Sequence, residues 1–121
     1  MRTSGLGIWI GIVMSITSFA STARAQDPMA AAKGDLRRMV GANEVYHAKN
    51  KKYASNVSDL SGFKPSSGVT VTVVTATATG WSASASSVSG KTCVIYVGSV
   101  SVPKTQAQGL TGPEAVPTCD R

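Results

Sequence analysis

Gly68-Val69-Thr70-Val71-Thr72-Val73-Val74-Thr75-Ala76-Thr77-Ala78-Thr79-Gly80-Trp81-Ser82-Ala83-Ser84-Ala85 alternates small polar and apolar side chains over most of its length. Val69, Val71 and Val73 alternate with Thr70 and Thr72, the period-two pattern of a strand with one buried face. Thr79-Gly80 reads as a turn, and Trp81, Ala83 and Ala85 then alternate with serines in a second strand. Ser89-Gly90 turns again. Cys93, Ile95 and Val97 face one way in a third strand, with Val94 and Tyr96 on the other side. These short connections predict an antiparallel meander of strands near 69–77, 81–87 and 92–97.

Upstream the period changes. Met29, Ala32, Leu36, Met39, Tyr46 and Tyr53 recur at steps of three, four or seven, with Val40 on the same side. This stripe predicts an amphipathic helix over 28–51, N-capped by Asp27 with Pro28 at its first position. Asn43 and Asn50 interrupt the stripe, and Gly34 and Gly41 each cost about 1 kcal/mol relative to alanine. The helix therefore needs a sheet to pack on. Small Ala83 and Ala85 let it lie close, giving an expected core of Leu36, Met39, Val40, Tyr46, Val71, Val73, Trp81, Ala83 and Ile95. Residues 54–67 read as a loop with one short turn around Ser58-Asp59-Leu60. The expected fold is α+β: one N-terminal amphipathic helix packed on a three-stranded or slightly larger antiparallel sheet, with a disulfide-closed C-terminal loop.

The first 25 residues have a different character. Arg2 gives a positive start, Ile8–Ala20 is mostly apolar, and Ala23-Arg24-Ala25 places small residues where a signal peptidase cuts. That is the layout of a secretory signal peptide. The apolar run covers about 13 residues, short of the roughly 20 that span a bilayer. Cleavage after Ala25 leaves a mature chain starting at Gln26, one domain over 26–121; an uncleaved membrane anchor is the other option. Export predicts a periplasmic, cell-surface or extracellular location. An even cysteine count in an exported chain makes a Cys93–Cys119 disulfide the default. Closing that loop stabilises by about 3.5 kcal/mol in the chain-entropy model. A metal site is disfavoured by a single histidine and widely spaced cysteines, and no pattern calls for a cofactor.

The chain carries +6 at neutral pH. Removing Arg2 and Arg24 leaves ten Lys/Arg against six Asp/Glu, or +4. Arg37, Arg38, Lys49, Lys51 and Lys52 cluster on the helix and its exit, with Lys64 nearby in sequence. Clustered cations suit phosphate contacts, so these residues form a candidate polyanion-binding face. A solvated helix surface is the favoured reading of the same residues, since no aromatic is clearly interleaved to stack on bases. His47 is the only histidine, with Glu44 three residues back and no nucleophile elbow in the chain, so no catalytic residues are assigned. Tyr46 and Tyr53 are expected to anchor the helix to the sheet.

Asp35-Leu36-Arg37-Arg38, Glu44-Val45-Tyr46-His47-Ala48, the step Asn50-Lys51-Lys52-Tyr53, Asp59-Leu60, Gly68-Val69, Gly80-Trp81 and Thr92-Cys93 occur in an order that resembles the globular head of a type IV pilin or pseudopilin. The likeness covers residues 30–100 loosely and the tail only through its cysteine. It implies a non-enzymatic, exported protein with a structural or interaction role at the cell envelope. The chain departs from the pilin pattern at its start. The nearest leader cut is Gly5-Leu6, Ile10 stands where the pilin glutamate belongs, and no acidic residue precedes Asp27. A pilin head on a general signal peptide lacks the hydrophobic helix that fills a filament core. It either stays out of filaments or is the globular partner of a two-chain pilin. In the second case the partner is a short helical pilin chain or another envelope protein, and docking is expected around Met29, Ala30, Ala31 and Ala32. Those four residues also read as an ordinary first turn. The rival expectations are a soluble DNA- or polyanion-binding module and a small exported domain that merely shares this fold.

Overall fold

The computed structural model describes residues 29–121. The signal segment, its cleavage residues Ala23, Ala25 and Gln26, and the capping pair Asp27-Pro28 lie outside the described residues. Helix α1 spans Ala30–Asn50, two residues shorter at its start than the expected 28. Its N-cap is Met29, which makes no side-chain cap bond. Met29 is instead buried, and the Ser87 hydroxyl approaches its sulfur at 3.5 Å. At the other end Lys51 takes a left-handed conformation and donates its N–H to the His47 carbonyl at 2.8 Å. The helix thus stops where expected.

The buried side of α1 holds Ala32, Asp35, Leu36, Met39 and Asn43. Asn43 does not interrupt the stripe but occupies it. It is fully buried, and its side-chain oxygen accepts the Ala54 N–H at 3.1 Å. A backbone donor brought close by the loop makes a polar side chain tolerable at a core position.

Four strands form one antiparallel sheet in the order β1 (Thr70–Ala76), β2 (Gly80–Ser86), β3 (Thr92–Gly98), β4 (Thr118–Cys119). The first three match the expected meander; β4 is a two-residue addition from the tail. Trp81, Ala83 and Ala85 of β2 and Cys93 and Ile95 of β3 are buried beneath the helix with Leu36 and Met39. Ala54 and Leu60 complete this core from the loop. Val40, Tyr46, Val71 and Val73, expected inside, are half-buried and pack around its rim. For the two valines the reason is position: β1 is an outer strand, and the central strands take the full cover of α1.

The alternation of β1 breaks at Val73-Val74. Val73 pairs with Ala83 and Thr75 with Ser82, so Val74 bulges out and is exposed. Where β2 meets β3, Gly80 pairs with Gly98. Gly98 has φ +79, and a Cβ there would lie 2.2 Å from the Thr79 carbonyl oxygen. Only glycine fits that close approach.

Candidate functional site

Asp35 is the most deeply set charge of the helix. One turn-spacing along the apolar stripe from Ala32 and Met39, it faces the loop rather than solvent. Its carboxylate accepts the Ser66 N–H at 2.7 Å and the Ser66 hydroxyl at 2.8 Å, and pairs with the Arg38 guanidinium. Burial pushes the Asp35 carboxyl up, but the Ser66 bonds and Arg38 outweigh it and hold it below the usual range. Arg38 also donates to the Lys64 carbonyl at 3.0 Å and lies over the Phe63 ring at 5.0 Å. Together Asp35 and Arg38 fasten residues 63–66 to the helix before the chain enters β1.

The far end of α1 carries a second cluster. The His47 Nε2 lies 2.9 Å from the Ala78 carbonyl oxygen, an acceptor, which places the ring proton on Nε2. The same ring stacks on Tyr53 with centroids 4.4 Å apart. Tyr53 donates its N–H to the Thr77 carbonyl at 3.0 Å. Its hydroxyl lies 3.5 Å from the Glu44 carboxylate. Burial and the nearby Glu44 and Glu114 carboxylates push the Tyr53 hydroxyl up, so it stays protonated at neutral pH. Beside this cluster Ala42, Val45, Tyr46, Lys49, Asn50, Asp59 and Ser61 line a surface cavity of about 210 Å³ between the helix and the 3₁₀ turn Val57–Asp59.

The tail is held by two devices. Cys93 and Cys119 are register partners in β3 and β4 and are joined by the disulfide. Next to it, the buried Asp120 carboxylate accepts the Thr92 N–H at 3.1 Å, the Thr92 hydroxyl at 3.2 Å, and the Gln108 and Ala107 N–H groups at 3.0 and 3.3 Å. Burial pushes this carboxyl up. The Thr105 hydroxyl and the Thr92, Gln108 and Ala107 amides reverse that and hold it far below its ordinary value. Residues 103–106 then cross the outer face of the sheet, where Val94, Val74 and Ser84 form with them a groove of about 290 Å³.

The expected site residues fall into separate places. The five cations do not make one patch. Arg38 is engaged by Asp35, the Lys64 carbonyl and Phe63. Lys49 lies about 16 Å further along the axis, and the exposed Glu44 shares the face of Arg37 one heptad on. All five side chains are exposed. At the helix start, Met29 and Ala32 turn into the core, leaving Ala30 and Ala31 exposed. A docking surface made of all four residues therefore does not exist as one face. Asp35, Asn43 and Asp120 escaped the sequence reading. For Asp35 and Asn43 a signal was present: a lone polar residue at helical spacing on an apolar stripe marks a buried anchor. Asp120 follows the last cysteine and carries no periodic signal.

Among the described residues no group of three His, Cys, Asp or Glu side chains converges to hold a metal ion, and no helix is long and apolar enough to cross a membrane. No protein-family model and no curated protein matches the sequence.

Proposed function

We propose that this chain is an exported, type IV pilin-like head with a structural or interaction role at the cell envelope, not an enzyme. One observation carries the proposal. Among the described residues a single α-helix lies across an antiparallel meander, the loop between them is fastened to the helix by Asp35, and the tail is stapled to β3 through Cys93–Cys119. Helix, loop, meander and disulfide-closed tail follow in the order that the resemblance implies. The side chains best placed for chemistry support the same view: Asp35, Asp120 and His47 bond to backbone groups and hold segments together.

On this reading the head joins an assembly through a second chain, a short helical pilin chain being the expected partner. Envelope fractionation with an antibody to the head tests this. The protein is expected with sheared surface filaments or the washed envelope. Its recovery with the cytosolic fraction contradicts the proposal. Micromolar, salt-sensitive binding to duplex DNA that is lost when Lys49, Lys51 and Lys52 become alanine would replace it with the polyanion-binding alternative.

A further inference from the structure

The two cysteines are 26 residues apart in the chain, yet they face each other as register partners of β3 and β4. The bonds that bring them together belong to their neighbours. Thr92 precedes Cys93 and Asp120 follows Cys119. Asp120 donates its N–H to the Thr92 carbonyl at 2.9 Å, and its carboxylate accepts the Thr92 N–H and hydroxyl in return. The Ala107 and Gln108 N–H groups, which also bond that carboxylate, come from the tail's own loop. Thr92 ties the same loop a second time, its hydroxyl oxygen accepting the Gln106 N–H at 2.9 Å. Asp120 and Thr92 are both buried.

A buried carboxylate is costly unless its oxygens are satisfied. Both are satisfied here, Oδ2 by Thr92 and Ala107 and Oδ1 by Gln108. Those donors surround Asp120 only while the end of the tail lies beside β3. Without them, β4 offers two ladder pairs against the chain entropy of closing the long loop between the cysteines. The charge itself does not activate the sulfurs, since a carboxylate beside a thiol disfavours its thiolate. What Asp120 contributes is placement.

We propose that Asp120 is the positioning residue for the Cys93–Cys119 disulfide: by bonding Thr92 and the 106–108 loop at once, it raises the fraction of the dithiol chain in which Cys119 lies beside Cys93. With oxidised glutathione as oxidant, one cysteine thiolate attacks a glutathione sulfur, forms a mixed disulfide and releases one glutathione thiolate. The other cysteine thiolate attacks the protein sulfur of that mixed disulfide, forms the Cys93–Cys119 bond and releases the second glutathione. The two protein thiol protons end on the two glutathione thiolates, so two thiols are oxidised and one disulfide is reduced. Asp120 acts on the second step, in which the protein sulfurs must meet. The coupling is reciprocal: the disulfide favours the Asp120 bonds by the same factor by which those bonds favour the disulfide. The proposal is independent of the pilin reading.

Equilibration of the protein in glutathione redox buffers at neutral pH, with dithiol and disulfide forms separated after an acid quench, gives the equilibrium constant of the pair. Asp120→Asn is expected to lower that constant about tenfold or more. Thr92→Val removes only the hydroxyl and should lower it about threefold. Val73→Ala lies on the strand at the opposite edge of the sheet from β4. It weakens the fold but should leave the constant unchanged, with circular dichroism confirming that each variant is folded. In the reciprocal measurement, carboxyl-carbon NMR of the Cys93→Ser/Cys119→Ser chain should show Asp120 titrating closer to the ordinary carboxylate range than in the disulfide form. If Asp120→Asn does not fold, Thr92→Val and the titration decide. The proposal is overturned if these substitutions leave the constant unchanged, if Val73→Ala lowers it as much, or if Asp120 titrates alike with and without the disulfide.

Discussion

Gly98 and Gly41 make opposite demands on one added methyl group. At Gly98 the left-handed φ and the Thr79 carbonyl both exclude a Cβ. Gly98→Ala is expected to lose about 1–3 kcal/mol of stability in a denaturant titration. Gly41 lies exposed in α1, and a Cβ added there would meet nothing within 4 Å, so Gly41→Ala should gain about 0.5–1 kcal/mol. Buried carboxylates set the acid limit. Asp35 and Asp120 are both held below their ordinary values. In acid the unfolded chain therefore binds protons that the folded one does not. Their stabilisation is fully present above the unfolded value near 4 and is lost as pH falls toward the folded values. The urea midpoint should be level from about pH 7 to 5 and drop below about pH 4, with Asp120→Asn flattening the drop. A midpoint that stays level below pH 4 would contradict the roles given to both groups. At this scale the apolar core residues Leu36, Met39, Trp81, Ala83 and Ile95 were legible because spacing alone places them. The polar anchors were not, because each is defined by a distant partner: Ser66 for Asp35, Ala54 for Asn43, Thr92 and Gln108 for Asp120.

Helix α1 and the tail depend on the sheet in different ways. The helix is bound by side-chain burial. Leu36 is wholly inside, so Leu36→Ala should lower stability by about 2–5 kcal/mol. A loss below roughly 0.5 kcal/mol would mean that the packed face is misassigned. The tail is bound by a covalent link and one carboxylate. Replacing Cys93 and Cys119 together by serine should cost about 2–5 kcal/mol. It should also release Thr118–Cys119 from β3, seen as faster amide exchange there than in β1–β3. The first three strands were legible within a residue or two because seven residues show a period. A two-residue strand has none, and β4 forms where the disulfide and the Asp120 bonds hold Thr118–Cys119 beside β3.

Among the described residues, one side of the sheet is closed by α1 and one edge by the tail. The proposed pilin-like role rests on this order of parts and on the expectation that residues 1–25 are a secretory signal. Native mass spectrometry of the protein extracted from the envelope tests that role most directly, since one spectrum reports the N-terminus, the oxidation state of Cys93 and Cys119, and any bound chain. The account predicts a chain beginning at Gln26, with the disulfide intact, in complex with a short apolar helical chain or with filament subunits. A chain that retains residues 1–25, carries two free thiols and is bound to nothing would contradict it.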